Sequence, residues 1–135
     1  MKKVLLTVAA CATLTYAGDI MKIDTKAVCD VKKNGVDKVL ALAEKYNPMA
    51  VKKGVEFKRL GVKNSTAIKA IKAAIKAKKK EVVVEVKKKG KVKKQKFALD
   101  YAATRACKFA IVALQYDKEA ETTYRAAIPG DGYKF

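Results

Sequence analysis

FALDYAATRACKFAIVALQY, residues 97–116, is the stretch whose reading organises the rest of the chain. At 100° per residue its strongly polar members, Asp100, Thr104, Arg105, Lys108 and Gln115, fall on one stripe and leave the remaining arc apolar. A helix with so wide an apolar arc belongs in the middle of a fold, and its alanines let neighbouring helices approach closely. Asp100, Arg105 and Lys108 divide it into apolar runs too short to cross a bilayer unaided, so it reads as a core helix of a soluble domain. Cys107 lies on it among Ala103, Ala106 and Ala110.

Just before this helix the hydrophobic period is two. Residues 81–86, EVVVEV, place Val82, Val84 and Val86 on one face of a strand. Lys88, Lys89, Gly90 and Lys91 supply a tight turn in which Gly90 takes the positive φ, and residues 92–97 return as a second strand. There Lys94 and Lys96 share the face of Val92, whereas Lys93, Gln95 and Phe97 share the other. The hairpin is therefore expected to lie on helices by its valine face with its lysines in water. It leads directly into the central helix, with Asp100 as candidate cap. Beyond Gln115, Tyr116, Ala120, Tyr124 and Ala127 keep a four-residue step that extends the helix until Pro129 and Gly130 stop it, leaving GDGYKF as a short tail.

Upstream of the hairpin, residues 65–80, STAIKAIKAAIKAKKK, form an amphipathic helix capped by Asn64 or Ser65. Ile68, Ile71 and Ile75 make its apolar stripe, and Lys69, Lys72 and Lys76 repeat the spacing one residue along. Such a helix suits a membrane surface or a polyanion, or is an ordinary lysine-rich surface helix. Nearer the N-terminus, Asp24 or Thr25 caps a helix with apolar positions Val28, Val31, Val39, Ala43 and Tyr46. Gly35 weakens it, the run NGVD divides it, and Asn47 with Pro48 ends it. Residues 49–62 read as a helical turn followed by a short helix or an extended segment; in a helix Glu56 and Arg59 would pair. The fold class expected is α+β: a small helical domain around a central apolar helix, with a two-stranded antiparallel hairpin.

The first residues, MKKVLLTVAACATLTYAGD, have the layout of a secretory signal: Lys2 and Lys3, a short apolar core, then Thr15, Tyr16 and Ala17 as a small-x-small cleavage site. The division expected is a signal peptide at 1–17 and a single mature domain at 18–135. A competing lipoprotein cut would fall just before Cys11. Either way the chain leaves the cytoplasm, to the periplasm or beyond. Removal of the leader leaves Cys29 and Cys107, a pair in an oxidising compartment. A disulfide between them would close a long loop, worth on the order of 4 kcal/mol in the chain-entropy model. Without a CxxC spacing the pair does not read as redox-active.

Charge is concentrated. The whole chain carries +18, yet residues 52–96 hold seventeen lysines and Arg59 against three glutamates, whereas residues 97–135 balance to zero. The chain has no histidine, which removes the usual general base, histidine triads and histidine-ligated metals. P-loop, GxGxxG and GxSxG patterns are missing as well. Neither a catalytic site nor a metal or cofactor site is expected.

What remains is the basic middle: Lys76, Lys78, Lys79, Lys80, Lys87, Lys88, Lys89, Lys91, Lys93, Lys94 and Lys96, opposed by Glu81 and Glu85. These are the candidate anion-binding residues. Their mutual repulsion is relieved when an anion neutralises them, and a polyanion would bind with an affinity that falls steeply with salt. Nucleic acid, a surface glycan such as lipopolysaccharide, anionic lipid and an acidic protein all qualify. Within residues 52–96 Arg59 is the one arginine and Phe57 the one aromatic ring, too few for base reading or stacking.

Leu60, Gly61 and Val62, followed by Thr66 and Ala67, resemble the turn of the helix-hairpin-helix motif, which binds DNA phosphates through backbone amides. Lys63 stands where that motif has its second glycine, and the later aliphatic residues are one position out of step. The expectation is thus a secreted or periplasmic, non-catalytic protein binding an anionic envelope component or membrane surface. Its alternatives are a structural or assembly subunit that meets a protein partner, and sequence-independent DNA binding outside the cytoplasm.

Overall fold

The computed structural model of the chain describes residues 20–127, with backbone alone at 122 and 124–127. The expected leader, the competing cut at Cys11, and the stop at Pro129 and Gly130 with its tail fall outside the described residues. A 3₁₀ turn at Ile20–Lys22 precedes α1 (Thr25–Val28), α2 (Val31–Asn34) and α3 (Val36–Lys52). Then come β1 (Lys58–Arg59), β2 (Val62–Lys63), α4 (Asn64–Lys76), β3 (Glu81–Lys88), β4 (Lys91–Ala98) and α5 (Leu99–Ala127). The fold is α+β, with two separate antiparallel hairpins, β1–β2 and β3–β4, beside helices that pack on α5.

The apolar stripe read from the sequence is the centre of the molecule. Ala103, Ala106, Cys107, Ala110, Ile111 and Leu114 of α5 are buried, and α3 lays Val39, Leu40, Ala43, Tyr46 and Ala50 against them. This is the most extensive contact between helices. On α4, Ile68, Ile71 and Ala74 are buried, with Ile75 half-buried at the margin. The helix continues beyond Gln115 as its four-residue step predicts, but it begins at Leu99, so Phe97 and Ala98 end β4. Asp100 lies in the first turn rather than at the cap. The Leu99 N–H donates to Lys80 O at 2.8 Å, which holds the base of the hairpin at the helix start.

The N-terminal helix is divided more finely than the sequence predicts. Asp24 caps α1 by accepting from Lys26 N, and Asp30 caps α2 in the same way from Lys32 N. A new cap at Asp30 breaks the helix because its carboxylate competes with the helical bonding of the preceding turn. Gly35, at φ +82, makes the second break. Cys29 sits in the first gap, fully buried, and bonds Cys107 at a sequence separation of 78. Gln115 Nε2 donates to Ile20 O and Ile23 O at 2.9 and 3.0 Å, tying the beginning of the described chain to α5.

Pro48 does not end α3, which runs to Lys52. Proline inside a helix removes one backbone bond and costs about 3 kcal/mol. Here a further turn buries Ala50 completely, and the neighbouring Asn47 enters a buried polar network, so tertiary contact outweighs local preference. The stretch after it is extended, not helical, and Glu56 turns away from Arg59 to accept from Asn47 Nδ2 and Ser65 N.

Replacing Cys29 and Cys107 together by alanine is expected to lower unfolding free energy by on the order of 4 kcal/mol. Urea denaturation followed by far-UV circular dichroism checks this, and the loss should match that of the reduced wild-type chain.

Candidate anion-binding surface and its neighbouring cleft

Each of the eleven candidate lysines is exposed. Lys76 closes α4, and Lys78 to Lys80 form the link to β3. The helix ends in a Schellman arrangement: Lys79 N donates to Ala74 O, Lys78 N to Ile75 O, and Lys78 takes φ +54. The carbonyl end of the helix dipole favours these cations. Lys88 pairs with Lys91 across a two-residue turn whose central residues, Lys89 and Gly90, have φ +49 and +77. These signs define a type I′ turn. Asparagine is the usual occupant of the Lys89 position, and for most other side chains the left-handed conformation costs roughly 1–2 kcal/mol.

The register divides the hairpin lysines between two faces. Val82, Val84 and Val86 are buried opposite Phe97, Gln95 and Lys93, respectively. On the outer face Lys96, Lys94 and Val92 pair with Val83, Glu85 and Lys87. Lys76 to Lys80 flank the base of the hairpin, and Lys87 to Lys91 surround its tip, seven or eight residues away, roughly 25 Å at strand rise. The lysines therefore form a long ridge and do not converge on a point. Among the described residues, the ion pair that involves any of them is Lys96 with Glu81, at 4.0 Å. Lys72, on the other side of α4, is engaged at 2.6 Å by Glu44.

The start of α4 has a different chemistry from that implied by the helix-hairpin-helix resemblance. Leu60 and Gly61, at φ +52 and +79, form the turn of the β1–β2 hairpin. A Cβ on Gly61 would stand 3.2 Å from Lys87 Cβ, so this glycine lets the two hairpins touch. Neither Asn64 nor Ser65 acts as the N-cap of the helix. That position belongs to Lys63, which makes no side-chain cap bond, and the Ser65 N–H is taken by Glu56 Oε1 at 2.6 Å. An internal carboxylate thus occupies an amide at the helix N-terminus where a phosphate would be sought. Asn64 is buried and donates from Nδ2 to Asn47 Oδ1 at 2.9 Å and to Ala106 O at 3.0 Å.

Burial works to raise the Glu56 pKa, but hydrogen bonds from the Ser65 hydroxyl and amide and from Asn47, with the charge of Lys63, hold it below 4.5. The ionised form is therefore the one the folded chain prefers.

Beside the ridge lies a cleft of about 70 Å³ that sequence reading did not find. Its walls include Val82, Val84 and Phe97 of the hairpin, Phe57 before β1, and Tyr101 and Phe109 of α5. Phe57 and Phe109 stack with centroids 4.8 Å apart. The Arg105 guanidinium lies 5.0 Å from the Phe109 ring centre, 5.8 Å from Tyr101 and 6.0 Å from Phe97. Its spacing with Tyr101 and Phe109, at i−4 and i+4, was available in the sequence; the approach of Phe57 and the hairpin was not.

Among the described residues, no group of three or more His, Cys, Asp or Glu side chains could hold a metal ion, and no helix is long and apolar enough to cross a membrane. Comparison with protein-family models, curated proteins and solved structures finds no match to the chain.

Because the Glu56 pKa is lowered on folding, its charge stabilises the fold above 4.5, and that contribution is lost as pH falls through the lower folded value. Glu56→Gln keeps the acceptor and removes the charge. The variant is expected to be about 1 kcal/mol less stable at pH 7, with the gap closing below pH 4.5. Urea midpoints across that range measure it.

Proposed function

We propose that this is a non-catalytic protein of the periplasm or exterior that binds a linear polyanion of the cell envelope along its lysine ridge. The observation that carries the reading is the ridge itself: eleven exposed lysines along a helix end and a projecting hairpin, with a single carboxylate contact among the described residues. A long, predominantly positive surface, in which Glu81 and Glu85 are the acidic members, suits a chain of regularly spaced charges better than a compact ligand, and lysine acts there as a point charge without base or sugar selectivity. Lysine also occupies two positive-φ positions, 78 and 89, where glycine or asparagine would be less strained. Charge is kept there against local backbone preference. The location is supported by the leader pattern at 1–17 and by the Cys29–Cys107 bond.

Retention on heparin, compared with a sulfopropyl matrix of equal charge density over a salt gradient, tests the proposal. The protein is expected to leave heparin at clearly higher salt, and a variant with Lys87, Lys89, Lys94 and Lys96 changed to glutamine to lose the difference. Equal elution from both matrices would instead favour a structural or assembly subunit with a merely solvated surface.

A further inference from the structure

The cleft beside the ridge has a composition unlike the rest of the molecule. In a chain whose basic residues are overwhelmingly lysine, both arginines with described side chains, Arg59 and Arg105, line it. So do all three phenylalanines of the described region, Phe57, Phe97 and Phe109. Arginine and aromatic rings are the residue types that concentrate at binding sites, because they supply large, rigid contact area and planar donors.

Charge in the cleft has one sign. Arg59, Lys63 and Arg105 are among its lining residues, and no aspartate or glutamate is among the described ones. Arg105 is half-buried, and among the described residues its hydrogen bond is a long one, 3.5 Å to Tyr101 Oη. Ring contacts hold the guanidinium, and among the described residues its edge has no carboxylate partner. An ordered guanidinium edge presents parallel N–H groups that fit a planar carboxylate. The apolar walls require an apolar body on the same ligand. The available space, about 70 Å³, is less than half of the roughly 150 Å³ of a cavity that takes benzene, which favours the slender end of an unbranched chain over a ring.

We infer that the cleft binds a straight-chain aliphatic carboxylate, its head on Arg105 and the adjoining part of its chain against Val84, Phe97 and Phe109. This site is separate from the lysine ridge and does not depend on it.

The test uses the disulfide-bonded mature chain and four probes below their micellar concentrations: decanoate, acetate, decanol and decyltrimethylammonium. Calorimetry gives affinities, and amide shifts at Ala102 and Ala106 report the location. Saturable binding of decanoate is expected, with acetate, decanol and the cation weaker by roughly ten-fold or more. Arg105→Gln should weaken decanoate by a similar factor; Arg105→Lys, which keeps the charge but loses the planar fork, should fall between. Because Arg105 contacts three rings, circular dichroism must first show each variant folded. Changing Lys87, Lys89, Lys94 and Lys96 to glutamine should leave decanoate binding intact. The inference is overturned if decanoate does not saturate, if decanol binds as well, if folded Arg105 variants bind as wild type does, or if the ridge variant loses binding.

Discussion

The structure depends on how closely other elements can approach the middle of α5. Ala103, Ala106 and Ala110 present nothing larger than a methyl group, so α3 can pack against the helix through Ala43 and Ala50 while larger residues such as Tyr46 and Ile111 fill the space around them. The same small-residue surface admits Cys29 to Cys107, and it brings Asn64 within 3.0 Å of the Ala106 carbonyl. A polar side chain at that depth is stable because its donors are satisfied, here by Ala106 O and Asn47 Oδ1. One apolar helix thus receives a covalent staple and a buried hydrogen-bond anchor on its small residues.

From that anchor the placement of the charged hairpin follows. Asn64 fixes the first residue of α4 on α5, and Glu56 satisfies the amide of the next. The helix then runs to Lys76 and reverses through Lys78, which delivers β3 with its valines toward the core. The hairpin gathers much of the positive charge while burying only one face of one strand. Spreading lysines along an extended ribbon lowers their mutual repulsion relative to a compact cluster. It also protects the chain from itself: among the described residues β4 pairs with β3 alone, and lysines on an exposed strand edge discourage pairing with another molecule.

The legible part of this protein is the part written in local periodicity. Val82, Val84 and Val86 alternate and are buried; Ile68 and Ile71 step by three and face the core; Gly90 marks the turn. The eleven lysines were equally plain, because a charged side chain without a buried partner stays in water wherever the backbone takes it. Less legible were the points at which a distant group replaces a local one. Asn64 looks like a helix cap and instead spans to residue 106, while Glu56 supplies the hydrogen bond expected from its neighbours. The resemblance of Leu60, Gly61 and Val62 to a phosphate-binding turn rested on identities that, in three dimensions, serve a β-turn packed on Lys87.

Sequence alone therefore determined the central helix, the valine face of the hairpin and the concentration of charge, since each follows from the spacing or number of residues along one segment. Tertiary structure decided that α3 passes through Pro48, that Asn47, Glu56 and Asn64 join in one network, and that Phe57, Phe97, Arg105 and Phe109 share a cleft. The physical reason is the same in each case. Burial free energy and hydrogen-bond satisfaction are set by which segments meet, and segments separated by tens of residues leave no periodic trace of their meeting in the chain.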